Sequence, residues 1–262
     1  MSGGPAFFVR DGDRFVATES TRGPWSRDHQ HGGPPAALLA RAMEQLAGDG
    51  ALLARITFDF LRPVPIAPLA VSAEVTRAGA KVRRLKAALA AADGTLLVQA
   101  SAVALRTAPV LPAAVGGDAS AFPPPATAAP FSFPFFADPT GYHTSVEVRL
   151  GRGTWGKGPV VAWMRTVVPL VEGEAPSAVQ RLLVMADSAS GLAVVLDHRR
   201  YTFVNADLTV ALHRPPEGEW LCLDAATVAE AHGVGLTRAR LGDERGALGV
   251  SLQTCLVETR QG

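Results

Sequence analysis

The sequence predicts an α+β protein built from two tandem copies of one unit, each a curved antiparallel sheet wrapped round one apolar helix. Three observations carry this. The chain repeats itself: Arg62-Pro63 recurs 152 positions later as Arg214-Pro215, and Asp93-Gly94-Thr95-Leu96 recurs at the same offset as Arg245-Gly246-Ala247-Leu248. Self-similarity at a fixed spacing marks two copies of one unit. Each copy holds a stretch of helix formers with almost no polar face. That stretch is followed by four strand-like runs separated by turn residues.

Composition sets the bounds. With 262 residues, 48% hydrophobic and 19% charged, the chain can fill real cores and is not disordered. A net charge of +1 provides no field that selects nucleic acid or an anionic membrane. No apolar run approaches the roughly 18 residues needed to span a bilayer. The start, Met1-Ser2-Gly3-Gly4-Pro5, lacks the regions of a signal peptide. A soluble cytoplasmic protein is expected. Cys222 and Cys255 each sit in an apolar, strand-like run, and read as small buried hydrophobes in a reducing compartment rather than a disulfide. The histidines show no metal-like spacing with cysteines or carboxylates, and no Gly-x-Ser-x-Gly elbow occurs.

Taken in order, Phe7-Phe8-Val9 and Phe15-Val16-Ala17 flank Asp11-Gly12-Asp13 as a hairpin. His31-Gly32-Gly33-Pro34-Pro35 leads into a helix over 36–47, with prolines at its start and Gly48 at its end. Its polar positions are only Arg41, Glu44 and Gln45, so something must wrap it. Strands follow over 52–60, 67–78, 82–92 and 95–105, broken at Pro63/Pro65, Gly79 and Asp93-Gly94 as in an antiparallel meander. Residues 108–135, rich in Pro, Ala and Gly, read as a linker. The second copy repeats the order: strands near 142–150 and 160–168, a helix near 176–189, and strands near 203–213, 219–230, 234–241 and 247–258. A sheet wrapping a long apolar helix is the hotdog arrangement, and two copies make a double hotdog. Its parts are an N-terminal hotdog (1–107), the linker (108–135) and a C-terminal hotdog (136–262). The exposed sheet edges lead to the expectation of a homo-oligomer.

Several motifs then fall into a recognisable order. They are Gly32-Gly33 at the helix start, Phe60-Leu61-Arg62-Pro63, Val75-Thr76-Arg77-x-Gly79, Asp207 six before His213-Arg214, Glu219-Trp220-Leu221, and Gly246 with Gln253. In these the chain resembles the double-hotdog acyl-CoA thioesterases, the TesB-like or type II family, over nearly all its length outside the linker. The resemblance implies hydrolysis of acyl-CoA to free acid and CoA in fatty acid metabolism, with no cofactor and no metal. It also implies that an Asp, a Thr or Ser, and a Gln of the second hotdog orient a water against the thioester. Carried over position by position, these are Asp207, Thr227 and Gln253. One departure is Leu208, where the enterobacterial form has His after the Asp.

The residue chemistry suits that role. A carboxylate can take a proton from water, while a Thr hydroxyl and a Gln amide offer fixed donors and acceptors to orient it. At the repeat offset Asp207 falls over Arg55, Thr227 over Val75 and Gln253 over Ser101, so these polar groups are not needed by the scaffold. For substrate binding the candidates are His31, Gly32 and Gly33 at the helix start, and Arg77, Lys81, Arg83 and Arg84 for the CoA phosphates. Gly32-Gly33 offers unshielded N–H groups for an oxyanion, but Pro34 and Pro35 remove two donors, so the oxyanion donor stays open. Asp187, inside the second helix, is a further carboxylate of the kind single-hotdog thioesterases use, with a satisfied buried carboxylate as its plainer reading. A hotdog hydratase would need an Asp–His pair in contact. Asp207 and His213, six apart on one strand, are on the order of 20 Å apart and cannot form one. The rival to hydrolysis is a non-catalytic acyl-CoA or acyl-carrier binding protein.

Overall fold

In the computed structural model, which describes residues 6–111, 113–116 and 122–260, the chain begins with a hairpin of β1 (Phe8–Asp11) and β2 (Arg14–Ala17). The Met1-Pro5 segment lies outside the described residues. Helix α1 (Gly33–Ala47) carries Pro34 and Pro35 in its first turn, where a missing N–H costs nothing. At its other end Arg83 Nη1 donates to the carbonyls of Leu46 and Ala47 at 3.2 and 3.0 Å. Strands β3 (Ala51–Phe60), β4 (Pro68–Ala78), β5 (Val82–Ala91) and β6 (Leu96–Arg106) follow as an antiparallel sheet that wraps the helix.

The second copy contains β7 (Ala129–Phe131), a turn of helix α2 (Tyr142–Ser145), β8 (Val146–Arg152), β9 (Val160–Thr166), α3 (Ala178–Ala186) and α4 (Ala189–Leu192). After these come β10 (Tyr201–Asn205), β11 (Asp207–Leu212), β12 (Leu221–Ala229), β13 (Val234–Asp243) and β14 (Gly246–Thr259). The fold is thus α+β, a double hotdog. Three elements differ from the sequence expectation. The strand near 142–150 opens as helix α2, the helix near 176–189 breaks at Asp187-Ser188, and the run over 203–213 is two strands. Ala206 makes the last break: its N–H donates to Thr254 O and its carbonyl accepts from Phe60 N–H, both at 2.9 Å. The segment 108–135 does more than connect. Its end forms β7, paired with β8, and Trp163 donates its indole N–H to Pro123 O at 2.7 Å.

All the strands among the described residues join one 14-stranded sheet, ordered β1-β2-β4-β5-β6-β3-β11-β14-β13-β12-β9-β8-β7, with β10 also on β14. The copies meet at β3–β11, where Thr57 pairs with Thr209, Asp59 with Asp207 and Arg55 with Ala211. Thr57 and Thr209 are the same position in the two copies, 152 residues apart, and their hydroxyls lie 3.1 Å from each other. A pseudo-twofold axis therefore passes between them and sends Asp59–Asp207 onto Ala211–Arg55.

Inside the sheet α1 packs on α3 very closely. A Cβ on Gly33 would stand 2.0 Å from the Val184 carbonyl oxygen, so only glycine fits. Further along, Glu44 accepts from Ser177 Oγ at 2.8 Å and Gln180 Nε2 at 2.6 Å, and Arg41 pairs with Glu174 at 2.6 Å. One apolar core includes residues of both halves. Both cysteines are buried and free, and burial pushes the Cys255 thiol up to about 12. No helix among the described residues is long and apolar enough to cross a membrane.

Candidate active site

The break between α3 and α4 is the centre of the site. Two carbonyls near the end of α3 are drawn off by side chains from elsewhere: Val184 O accepts from Tyr142 Oη at 3.0 Å, and Asp187 O accepts from Gln253 Nε2 at 3.0 Å. Gln253 belongs to β14 and is fully buried. Its Oε1 in turn accepts the N–H of Ser190, in the first turn of α4, at 3.1 Å. One buried amide thus fastens both sides of the break, because a buried amide must spend all its hydrogen bonds.

Asp187 is left at the break with its side chain 5% exposed. Its Oδ1 accepts from Asn205 Nδ2 at 2.8 Å and lies 3.3 Å from Gln253 Nε2. Its Oδ2 lies 3.2 Å from His31 Nδ1. Gly32 leaves room for this carboxylate, since a Cβ there would come within 2.8 Å of Oδ2. His31 stacks face to face on Tyr142, with centroids 3.7 Å apart and planes 3° from parallel. Its Nδ1 also accepts the N–H of Gly33 at 3.1 Å. Burial lowers the His31 pKa below the ordinary histidine value, outweighing the opposite pull of the Asp187 charge. Tyr142 shares a 2.7 Å hydrogen bond with Ser188 Oγ, and burial raises its phenol pKa.

These groups stand on a cavity of about 460 Å³, whose wall includes His31, Gly32, Tyr142, Asp187, Ser188, Asn205 and Thr227. Thr227 is buried, and its Oγ1 is 2.7 Å from Thr237 Oγ1 on the next strand. Thr237 pairs with Gln253 across β13–β14, so Thr227, Thr237 and Gln253 form an inward-facing row under the helix break.

Asp207 is elsewhere. Leu208, Val210 and Leu212 are buried inside the sheet, and alternation puts Asp207, Thr209 and Ala211 on its outer face. The Asp207 carboxylate accepts the N–H of Thr254 at 2.7 Å, standing in for a ladder bond where the Ala206 kink interrupts the sheet. It does not line the cavity. The structure therefore brings Gln253 together with Asp187, and not with Asp207. Arg77, Lys81, Arg83 and Arg84 are also apart from the site. They surround the β4–β5 turn, at the C-terminal end of α1, roughly 20 Å of helix from His31. Arg83 is occupied there with the helix carbonyls. His31 and Gly32 do line the cavity, while Gly33 serves the helix contact. The reading from sequence missed Asn205, Tyr142, Ser188 and Thr237. Asn205 had a signal, being the polar residue at the point where the strand changes parity.

Two family models match the chain: the acyl-CoA thioesterase N-terminal domain over residues 21–107 and the acyl-CoA thioesterase C-terminal domain over residues 118–257. A search of curated proteins returns no match. Among solved structures, a provisionally designated thioesterase II from Thermobifida fusca YX superposes with a TM-score of 0.74 at 18% identity, covering 98% of this chain and 100% of its own. The acyl-CoA thioesterase II TesB2 from Mycobacterium marinum gives 0.66 at 16% identity, covering 96% and 94%. A conserved protein of unknown function with a hot dog fold from Alicyclobacillus acidocaldarius gives 0.70 at 21% identity, covering 97% and 96%. At these identities the likeness is one of fold.

Proposed function

Because the chain belongs to the acyl-CoA thioesterase family, we propose that it hydrolyses acyl-CoA to a free acid and CoA, with Asp187 taking the proton from the attacking water. The observation that carries this is the Asp187 carboxylate itself: buried, on the cavity wall, with Oδ1 held by Asn205 and Oδ2 facing His31. A water beside Oδ2 gives its proton to Asp187 as its oxygen attacks the thioester carbonyl. Gln253 is a positioning residue, since both ends of its amide are already spent on the helix break. The Thr227 hydroxyl, at the cavity wall, orients the water. At the start of α1 Pro34 and Pro35 have no N–H and the Gly33 N–H is given to His31, so the oxyanion is assigned to the Gly32 N–H. On collapse the C–S bond breaks, its electron pair leaves on sulfur, and the proton on Asp187 passes to that sulfur. Water plus thioester gives acid plus thiol.

His31 is a positioning residue. Burial favours its neutral form, its Nδ1 lone pair accepts the Gly33 N–H at 3.1 Å, and its ring, stacked on Tyr142, walls one side of Asp187 Oδ2. The test is Asp187→Asn, assayed by thiol release across acyl chain lengths with binding followed by calorimetry. Loss of the base lowers kcat by about 10²- to 10⁴-fold with binding intact; retention of more than about a third of kcat sinks the assignment. A wild-type protein that binds acyl-CoA and releases no thiol is instead a non-catalytic acyl-CoA binder.

One observation favours a second reading, reversible hydration of a 2-enoyl thioester. That chemistry needs an Asp–His pair in contact, and His31 with Asp187 supplies it, where His213 with Asp207 does not. Loss of the enoyl absorbance of a trans-2-enoyl-CoA without thiol release would favour it over hydrolysis.

A further inference from the structure

The wall of the cavity has an unusual composition. Of the chain's 11 Phe, 4 Trp and 2 Tyr, eight line this one space, and five of the eight touch one another in sequence. Starting at Tyr142, whose ring is stacked on His31 beside Asp187, a run of rings leads outward. Phe136 is 6.4 Å from Tyr142, Phe135 is 5.4 Å from Phe136, and Trp25 is 6.3 Å from Phe135. Phe133 braces Phe135 at 5.5 Å. Three of these rings come from Phe133-Pro134-Phe135-Phe136, just beyond β7, where Phe135 and Phe136 are half-buried. Trp25, at the outer end, is 45% exposed, with the Arg260 guanidinium 5.6 Å over its ring. Core rings bury themselves completely, as Phe7, Phe8 and Phe58 do at 0% exposure. Tyr142 and Phe133 are buried and back the run, while Phe135, Phe136 and Trp25 keep part of their surface open beside the cavity, so these three are placed to receive something rather than only to pack.

Resting on the thioester reading of the site, we propose that the acyl group taken here is a short aromatic one, an aryl or arylalkanoyl thioester, in preference to an unbranched alkanoyl chain. Both kinds of acyl group gain from leaving water in proportion to their apolar area. Only a ring gains further from ring faces and edges, and the wall offers both, with planes in the run ranging from 4° to 27° and Phe133 at 48° to Phe135. Each such contact is worth roughly two- to tenfold in affinity beyond area, and the run extends from the reacting end to the mouth. Carbonyl and ring would lie along one line, the carbonyl beside Asp187 and Gly32, the ring against Phe136 and Phe135.

The test compares phenylacetyl-CoA with octanoyl-CoA, which carry the same number of acyl carbons. The expected result is a kcat/KM at least about tenfold higher for phenylacetyl-CoA, and a smaller ratio in Phe135→Leu. Octanoyl-CoA turned over as well as or better than phenylacetyl-CoA overturns the proposal, as does a ratio that Phe135→Leu leaves unchanged. Should neither thioester be hydrolysed, the hydrolytic reading fails, and calorimetric Kd values for the same two compounds still decide this one. Tighter phenylacetyl-CoA binding supports it, and equal or weaker binding overturns it.

Discussion

The two hotdogs share a scaffold and differ at three matched places, and those differences separate what holds the fold from what forms the site. Arg214 in the second copy donates through both terminal nitrogens to Asp243 at 2.6 Å, through Nε to Ala247 O at 3.0 Å, and to Gly246 O at 2.8 Å. Asp243 also accepts the N–H groups of Glu217 and Arg245. Burial pushes the Asp243 carboxyl up, but these hydrogen bonds and the Arg214 charge outweigh it and hold it low. In the first copy the position matching Asp243 is Ala91. Arg62, deprived of that carboxylate, is exposed and lines the cavity. The same arginine thus locks a turn in one copy and faces the cavity in the other. The helices differ likewise: α1 runs unbroken for 15 residues, while α3 stops after nine and the chain resumes helix only at Ala189. At the third place, Arg55 and Asp207 both lie on the outer face of the sheet, and neither lines the cavity.

The sharpest way to break this comparison is through the two carboxylates. Asp207→Asn keeps the oxygen that accepts Thr254 N–H, so its kcat is expected to stay within about twofold of wild type. Asp187→Asn falls by about 10²-fold or more. Equal losses in the two variants would mean that the outer-face carboxylate takes part after all. The arginines give the next largest effect. Arg214→Ala leaves the fully buried Asp243 side chain without its charge partner and is expected to cost about 3 kcal/mol. Arg62→Ala should cost less than about 0.5 kcal/mol and show itself in a raised KM for acyl-CoA. Urea denaturation of the two variants, with KM for the second, checks both; similar stabilities would erase the contrast.

A smaller effect comes from acidity. His31 has a folded-state pKa below the ordinary value of 6.5, through burial. The unfolded chain therefore binds more protons as pH falls below that value. The stability present above it is lost as pH drops towards the folded pKa. Tm is expected to fall between pH 7 and 5, and to fall less in His31→Gln. His143 shifts in the same direction, also through burial, so the difference between the two proteins is the quantity to read. Identical slopes would show that His31 does not titrate across folding.

Much of the fold was legible because it rests on local pattern. Strand-like apolar runs between turn residues marked most of the strands, Pro34-Pro35 and Gly48 marked both ends of α1, and the 152-residue offset marked the two copies; that Thr57 faces Thr209 across their twofold is seen only in the structure. The break in α3 was not legible. Val184, Met185 and Ala186 carry an unbroken helical preference, and the interruption comes from Tyr142 and Gln253 drawing off carbonyls from outside the helix. Asp207 was favoured because it sits near His213-Arg214-Pro215. Strand parity argued the other way: with apolar Leu208, Val210 and Leu212 turned inward, the residue before them must turn outward.

By itself, then, the sequence determined the two copies, the helix that each sheet wraps and the likeness to thioesterases, because periodicity and turn chemistry act over a few residues. Only the tertiary structure decided which carboxylate faces the cavity. His31, Asp187, Asn205 and Gln253 come from the start of α1, the α3–α4 break, the end of β10 and the middle of β14. No spacing along the chain encodes their meeting. It follows from the Gly33–Val184 approach of the two helices and from a buried amide that had to satisfy its hydrogen bonds.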